Sequence, residues 1–203
     1  MTTTAPRAPA GTSQSGRLTL RSWRVDDAQA AADIYGNPDV TGWLSPAMDP
    51  VRDLATMRVL LQQWIAEDAR LAAPAGRWAI ERSADRHVIG GAMLLPLPPG
   101  DEDLEVGWQL TPAACGHGYA DEAMFMLASW AFQHDVDEVF AVVRPENTRT
   151  TATVRKNGMH WVGETSKYLG LDLQVFRLRQ ADLDRSAPTA HRPPEQSDQA
   201  GAR

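Results

Sequence analysis

A chain of 203 residues, 43% hydrophobic and 23% charged, is long enough for one domain with a sizeable core. Its net charge of −6 gives no basic footprint for nucleic acid and is compatible with a cationic substrate such as an amine. One cysteine excludes an internal disulfide framework and a Cys-based zinc cluster. With neither a secretory leader nor an apolar run of membrane length, the cytoplasm is the expected setting.

Residues 1–16 are Thr, Ala, Pro, Ser and Gly with little to bury and read as a disordered arm; 185–203 read the same way as a tail. The domain is therefore expected over 17–184. Alternation from Arg17 to Ser22 predicts a first strand. Asp26 and Asp27 offer an N-cap to the helix A-Q-A-A-A-D-I-Y, stopped by Gly36-Asn37-Pro38. Leu54, Met57, Leu61, Trp64 and Ile65 fall at helical spacing within 50–71. Two strands follow, Arg77–Arg82 and His87–Leu95, joined by a turn at Ser83–Arg86. Pro96–Gly100 is a loop. Leu104–Leu110 is a central strand, and Ala120, Met124, Leu127, Ala128 and Ala131 form one apolar stripe on the next helix. Val139–Val143 is a strand, Thr148–Asn157 a helix stopped by Gly158, and Trp161–Gly163 and Asp172–Arg179 the last strands. Strands and helices in this order predict an α+β sheet of six or seven strands.

The stretch with most chemical content is Cys115-Gly116-His117-Gly118-Tyr119-Ala120, between the central strand and a helix start. Glycines let backbone N–H groups approach a ligand closely. The first N–H groups of a helix have no internal partners and carry the positive end of its dipole, so the turn is a site for a phosphate or pyrophosphate. It is neither a dinucleotide fingerprint, because Asp121 stands at the third glycine position and its carboxylate would face the phosphates, nor a Walker loop, because no Lys follows.

The turn resembles the acetyl-CoA pyrophosphate loop, [QR]-x-x-G-x-[GA], of the GNAT superfamily of N-acetyltransferases. C-G-H-G-Y-A-D-E-A is similar to the W-G-K-G-Y-A-T-E-A of its RimJ/RimL-type branch, with Cys115 as a departure. Downstream, P-E-N-T-R-T-T-A-T-V-R-K-N-G-M resembles the branch's P-E-N-x-x-S…E-K-x-G-F, with Asn147, Thr150, Lys156 and Gly158 matching. Arg155, Asn157 and Met159 depart from Glu, Leu and Phe, and Val154 stands where many members carry Tyr. The likeness runs from Arg17 to Leu183. It implies a mixed, mostly antiparallel sheet flanked by helices, with a splay between the Leu104 and Val139 strands for the cofactor.

The resemblance further implies acetyl transfer from acetyl-CoA to a primary amine by direct attack in a ternary complex, without metal. The acceptor is either a protein N-terminus or a small amine such as an aminoglycoside or polyamine. A binding module that holds acetyl-CoA without turnover is the alternative of another class, and a homodimer is an open question. Glu105 is the candidate base, against the plain reading of a solvated strand carboxylate. Thr150 is the candidate proton donor to the departing thiolate. Cys115, Gly116, His117, Gly118, Tyr119 and Ala120 would hold the pyrophosphate, while the backbone of Gln109 and Leu110 and the side chain of Asn147 would hold the arm. Asn147 also reads as a helix cap. Gly107 reads as a bulge, a close approach or a packing need under Trp108. Cys115 beside His117 invites a nucleophile reading, which leaves both glycines unexplained. Of seven tryptophans, Trp78, Trp108 and Trp130 read as core; Trp43, between the early helices, either lines the acceptor pocket or plugs the core.

Overall fold

The computed structural model describes residues 16–44, 51, 53–97, 103–168 and 170–186. The expected arm and tail lie outside these, apart from Gly16, Arg185 and Ser186, as do Pro98 to Gly100 of the loop. Seven strands form one sheet in the order β1-β2-β3-β4-β5-β7-β6. They are β1 (Leu18–Ser22), β2 (Gly76–Arg82), β3 (His87–Pro96), β4 (Leu104–Leu110), β5 (Glu138–Val143), β6 (His160–Tyr168) and β7 (Leu171–Arg179). The helices are α1 (Ala28–Tyr35), α2 (Pro38–Thr41), α3 (Leu54–Asp68), α4 (Tyr119–Phe132), α5 (Thr148–Lys156) and α6 (Gln180–Ser186). Every neighbouring strand pair is antiparallel except β4 and β5.

Alternation along the strands divides the apolar residues between two faces. Trp78 and Ile80 point into the larger core, which packs against Met124, Leu127, Ala128 and Ala131 of α4 and takes in Phe176 and Leu178 of β7. Ala79, between them, faces the smaller core, built from Ile34 of α1, Met57 and Leu61 of α3, and Trp23. There Trp23, Tyr35 and Trp64 pack as tilted or edge-on pairs, with centroids 5.2 to 6.2 Å apart.

Asp27 occupies the N-cap position of α1 but makes no side-chain cap bond. Its carboxylate takes two bonds from Arg21, at 2.7 and 2.8 Å, and Arg21 also reaches Glu81 at 2.6 Å. The same carboxylate also accepts from the backbone N–H of Arg24 at 2.8 Å, so it faces back toward β1 and not into the first turn of α1. Asn37-Pro38 stops α1, as expected, and at once starts α2: Asn37 caps it by accepting from Asp39 N at 2.9 Å, with proline at the first turn. β6 is far longer than the expected Trp161–Gly163, and its register against β7 shifts twice.

Candidate active site

β4 and β5 pair only at Leu104 with Val139 and at Glu105 with Phe140. Beyond that point they part, which leaves the β5-facing edge of β4 open from Val106 to Leu110. The gap opens into a cavity of about 890 Å³ lined by both strands, by α2 and the residues after it, and by the start of α5.

Glu105 sits at the base of the gap. Leu104 and Val106 are buried against the larger core, so Glu105, Gly107 and Gln109 face the opposite side, toward the α1 layer. The Glu105 carboxyl is half-buried, lines the cavity, and has no hydrogen-bond or ionic partner among the described residues. Burial without a compensating charge raises its pKa from the ordinary 4.5 to about 7. A group poised there can accept a proton near neutrality.

Gly107 is not a bulge, since the β3–β4 register is unbroken through it. A Cβ at Gly107 would lie 2.6 Å from Cε of Met93, its cross-strand partner, so the glycine makes room for that side chain at the cavity wall. Gln109 is held from the other layer, its Oε1 accepting from the Tyr35 hydroxyl at 3.3 Å. Burial moves the Tyr35 hydroxyl well above the ordinary tyrosine range, so it stays a donor.

A single 3-10 turn (Pro112–Ala114) leads into the glycine loop. Gly116 and Gly118 have φ of +81° and +79°, a conformation costly for other residues, and Gly118 is the N-cap of α4. Among the described residues, the backbone N–H groups of Gly116 through Asp121 have no protein acceptor. A Cβ at Gly116 would meet nothing within 4 Å, so the loop is open on its outer side. A row of unpaired N–H groups on open glycines at a helix start fits the pyrophosphate of a CoA thioester.

The loop is braced from β1. Arg17 binds the buried Glu122 at 2.6 and 2.8 Å, donates to the His117 carbonyl at 3.0 Å, and lies 5.1 Å from the Tyr119 ring centroid. In a trans peptide the C=O and the following N–H point opposite ways. Pinning the His117 carbonyl inward therefore turns the Gly118 N–H outward. Asp121 does not face the loop's open side: it accepts from Lys156 at 2.6 Å and Asn157 at 2.9 Å, joining the start of α4 to the end of α5.

The Cys115 thiol lies 3.6 Å from the Thr111 carbonyl. The His117 ring turns away from it, Nδ1 lying 2.9 Å from the Cys115 carbonyl; a carbonyl only accepts, so Nδ1 carries the hydrogen. The same ring stacks on Tyr119 at 5.8 Å. No Cys–His pair forms among the described residues. Asn147 caps α5 by accepting from Thr150 N at 3.1 Å, which leaves its amide N–H groups for a ligand. Val154 is fully buried in the larger core and does not line the cavity.

Of the sequence candidates, Trp43, Glu105, Gln109, Leu110, Cys115, Asn147 and Thr150 all line the one cavity. Gly116 to Ala120 lie outside its wall, just past Cys115, as the loop at the head of α4. Trp43 is 47% exposed, so it is a wall residue and no core plug. Trp78 is buried, while Trp108 is half-buried and also lines the cavity. Sequence reading missed Met93, Arg17 and Arg144. Arg144, half-buried at the cavity wall, donates to the Leu44 carbonyl at 3.2 Å. The β5 alternation could have found it: buried Val139, Ala141 and Val143 leave Phe140, Val142 and Arg144 on the Glu105 side.

Comparison with known proteins identifies the family and the fold. A family profile described as an acetyltransferase (GNAT) domain matches residues 17–160. An uncharacterized N-acetyltransferase, p20, of Bacillus licheniformis is 27% identical over 168 residues, covering 80% of this chain and 92% of that one. In fold, the chain is similar to Mycobacterium smegmatis RimJ in complex with CoA-disulfide, with a TM-score of 0.71 and 23% identity over 91% of this chain and 88% of that one. It is also similar to a ribosomal-protein-S5-alanine acetyltransferase from Vibrio fischeri, with a TM-score of 0.66 and 17% identity over 82% of this chain and 95% of that one. The profile match spans well over half of the sequence, and the chain belongs to the GNAT family of acetyltransferases, which draw their acetyl group from acetyl-CoA.

Proposed function

We propose that the protein is an N-acetyltransferase of the RimJ/RimL-type branch, working in the cytoplasm on a primary amine that attacks acetyl-CoA directly within a ternary complex. The observation that carries this reading is the Glu105 carboxyl, without a partner among the described residues and with its pKa raised to about 7, at the base of the β4–β5 gap. Glu105 takes a proton from the ammonium form of the acceptor, directly or through water, so that the neutral amine attacks. Acetyl-CoA supplies the acyl thioester: the C–N bond forms as the C–S bond breaks, and the nitrogen sheds its second proton to solvent to leave the neutral amide. Thr150 hands a proton to the departing thiolate and is reprotonated from solvent. The N–H groups from Gly116 to Ala120, with Cys115, His117 and Tyr119 around them, hold the pyrophosphate. Gln109 and Leu110 offer open backbone edge to the arm, and the Asn147 amide donates to it. Trp43 forms the acceptor wall.

The acceptor we favour is a protein N-terminus, supported by the fold likeness to RimJ and to the S5-alanine acetyltransferase. We assign the domain to residues 17–184; α6 runs two residues further. The test is release of free CoA with a panel of peptide N-termini, polyamines and aminoglycosides, with the acetylated product identified by mass. Tight binding of acetyl-CoA with no amine-dependent release from any of them would make the protein a binding module.

A further inference from the structure

We infer that the acceptor carries an anionic group beyond its amine, and that the half-buried Arg144 guanidinium binds it. This rests on the N-acetyltransferase reading above and concerns the acceptor half of the same cavity.

Arg144 follows β5 and, by alternation, faces the same side as Glu105. Its guanidinium makes one hydrogen bond, to the Leu44 carbonyl, and has no ionic partner among the described residues. A guanidinium has five N–H donors in a planar fork. One bond to Leu44 fixes the plane and leaves most of the fork for a carboxylate or phosphate, which it fits in bidentate fashion. A half-buried cation at a cavity wall without a counter-ion is a standing site for an anion.

The other charges of the cavity agree. Asp39, Glu146 and Arg149 also line it, but all three are exposed at its rim, where water screens them. With those three screened, the inner wall carries one acid, Glu105, and one cation, Arg144, which matches an acceptor with one amine and one anionic group. That suits a single amine and gives no field for a polycation. Spacing adds a constraint. Glu105 pairs with Phe140, and Arg144 lies four residues further along β5. At about 3.3 Å per residue this is roughly 13 Å between backbones. Two long side chains close part of that distance. The anion therefore lies several bonds from the reacting nitrogen, as an acidic side chain does at the second or third residue of an extended N-terminus.

The test uses the full chain with acetyl-CoA and three tetrapeptide amides, Ala-Asp-Asp-Phe, Ala-Asn-Asn-Phe and Ala-Lys-Lys-Phe, alongside 6-aminohexanoate and 1,6-diaminohexane. The acidic peptide should exceed the neutral one in kcat/KM by on the order of 10- to 100-fold, the value of a charge-assisted pair. Arg144→Gln should flatten that ratio and leave the KM for acetyl-CoA unchanged. Arg144→Lys, which keeps the charge without the fork, should retain part of the preference and controls for folding. Preference for 6-aminohexanoate over the diamine with no preference among peptides would identify a small amino acid as the anion's source and still support the assignment. Equal rates for acidic and neutral acceptors, faster turnover of the cationic ones, or a preference that survives in Arg144→Gln would overturn it. Should no acceptor react, the N-acetyltransferase reading fails first. Calorimetry of the acidic peptide with the CoA-saturated protein then decides the anion site: binding lost in Arg144→Gln supports it, and no binding, or equal binding, sinks it.

Discussion

Replacing Glu105 by glutamine separates a buried base from a solvated carboxylate through stability as well as rate. The folded-state pKa is raised from 4.5 to about 7 by desolvation. Below pH 4.5 the group is protonated in both folded and unfolded chains and its pKa costs nothing. Between 4.5 and 7 the unfolded chain ionises first, so folding stability falls as pH rises, and above 7 the full cost stands. At about 1.4 kcal/mol per tenfold change, that cost has an upper bound of ~3.5 kcal/mol. Glutamine keeps the shape and removes the ionisation. Glu105→Gln should match the wild type at pH 4 and below and exceed it at pH 8, by up to about 7–14 °C in Tm for a domain of this size. Over the same range it should lose on the order of 10²-fold or more in kcat, and part of that should return at high pH, where free amine accumulates. Thermal melts across pH, paired with CoA-release kinetics, read both effects. A wild-type-minus-variant Tm difference that does not change with pH, together with an unchanged kcat, would refute the reasoning. A fall confined to acceptor KM would make Glu105 an anchor.

Gly118→Val places a β-branched residue at φ +79°, where strain of roughly 1–2 kcal/mol and a side chain on the anion-facing loop should together abolish most acetyl-CoA binding by calorimetry while the chain still folds. Arg17→Ala removes the brace on the His117 carbonyl; acetyl-CoA Kd and KM should rise on the order of tenfold with kcat held, and Arg17→Lys should recover part of the loss. Cys115→Ala should keep most activity, acetyl-CoA should shield the wild-type thiol from alkylation, and intact-protein mass spectra should show no acetyl group on Cys115.

The parts of the fold legible in the sequence are those set by local chemistry. β4 took its expected bounds because its strand residues end at Thr111-Pro112, and the glycine loop was readable because positive φ at two positions leaves little choice but glycine. α2 was hidden because Asn37-Pro38 signals a stop and a start equally well. β6 was undercounted because its shifted register breaks the alternation that marks a strand. In the site, the candidates that share the cavity were near one another in sequence or fell on the two matched motifs, apart from Trp43, which was read from its place between the early helices. The Arg17–Glu122 brace joins residues 105 apart, and no local signal announces it. Asp121 pairs with Lys156 and Asn157, more than 30 residues away, so its direction could not be read from the loop.

The two apolar layers on opposite faces of the sheet are unequal, and this has a consequence for motion. The loop for the donor is anchored to α4, whose inner face lies in the larger core; the Trp43 wall stands on the α1–α3 side, over the smaller one. Segments with less buried area open at lower free energy. Amide exchange should therefore be faster in α1 and α3 than in α4. Donor recognition then rests on a stiff frame, while the acceptor side can breathe to admit and release its partner without loosening the grip on the pyrophosphate.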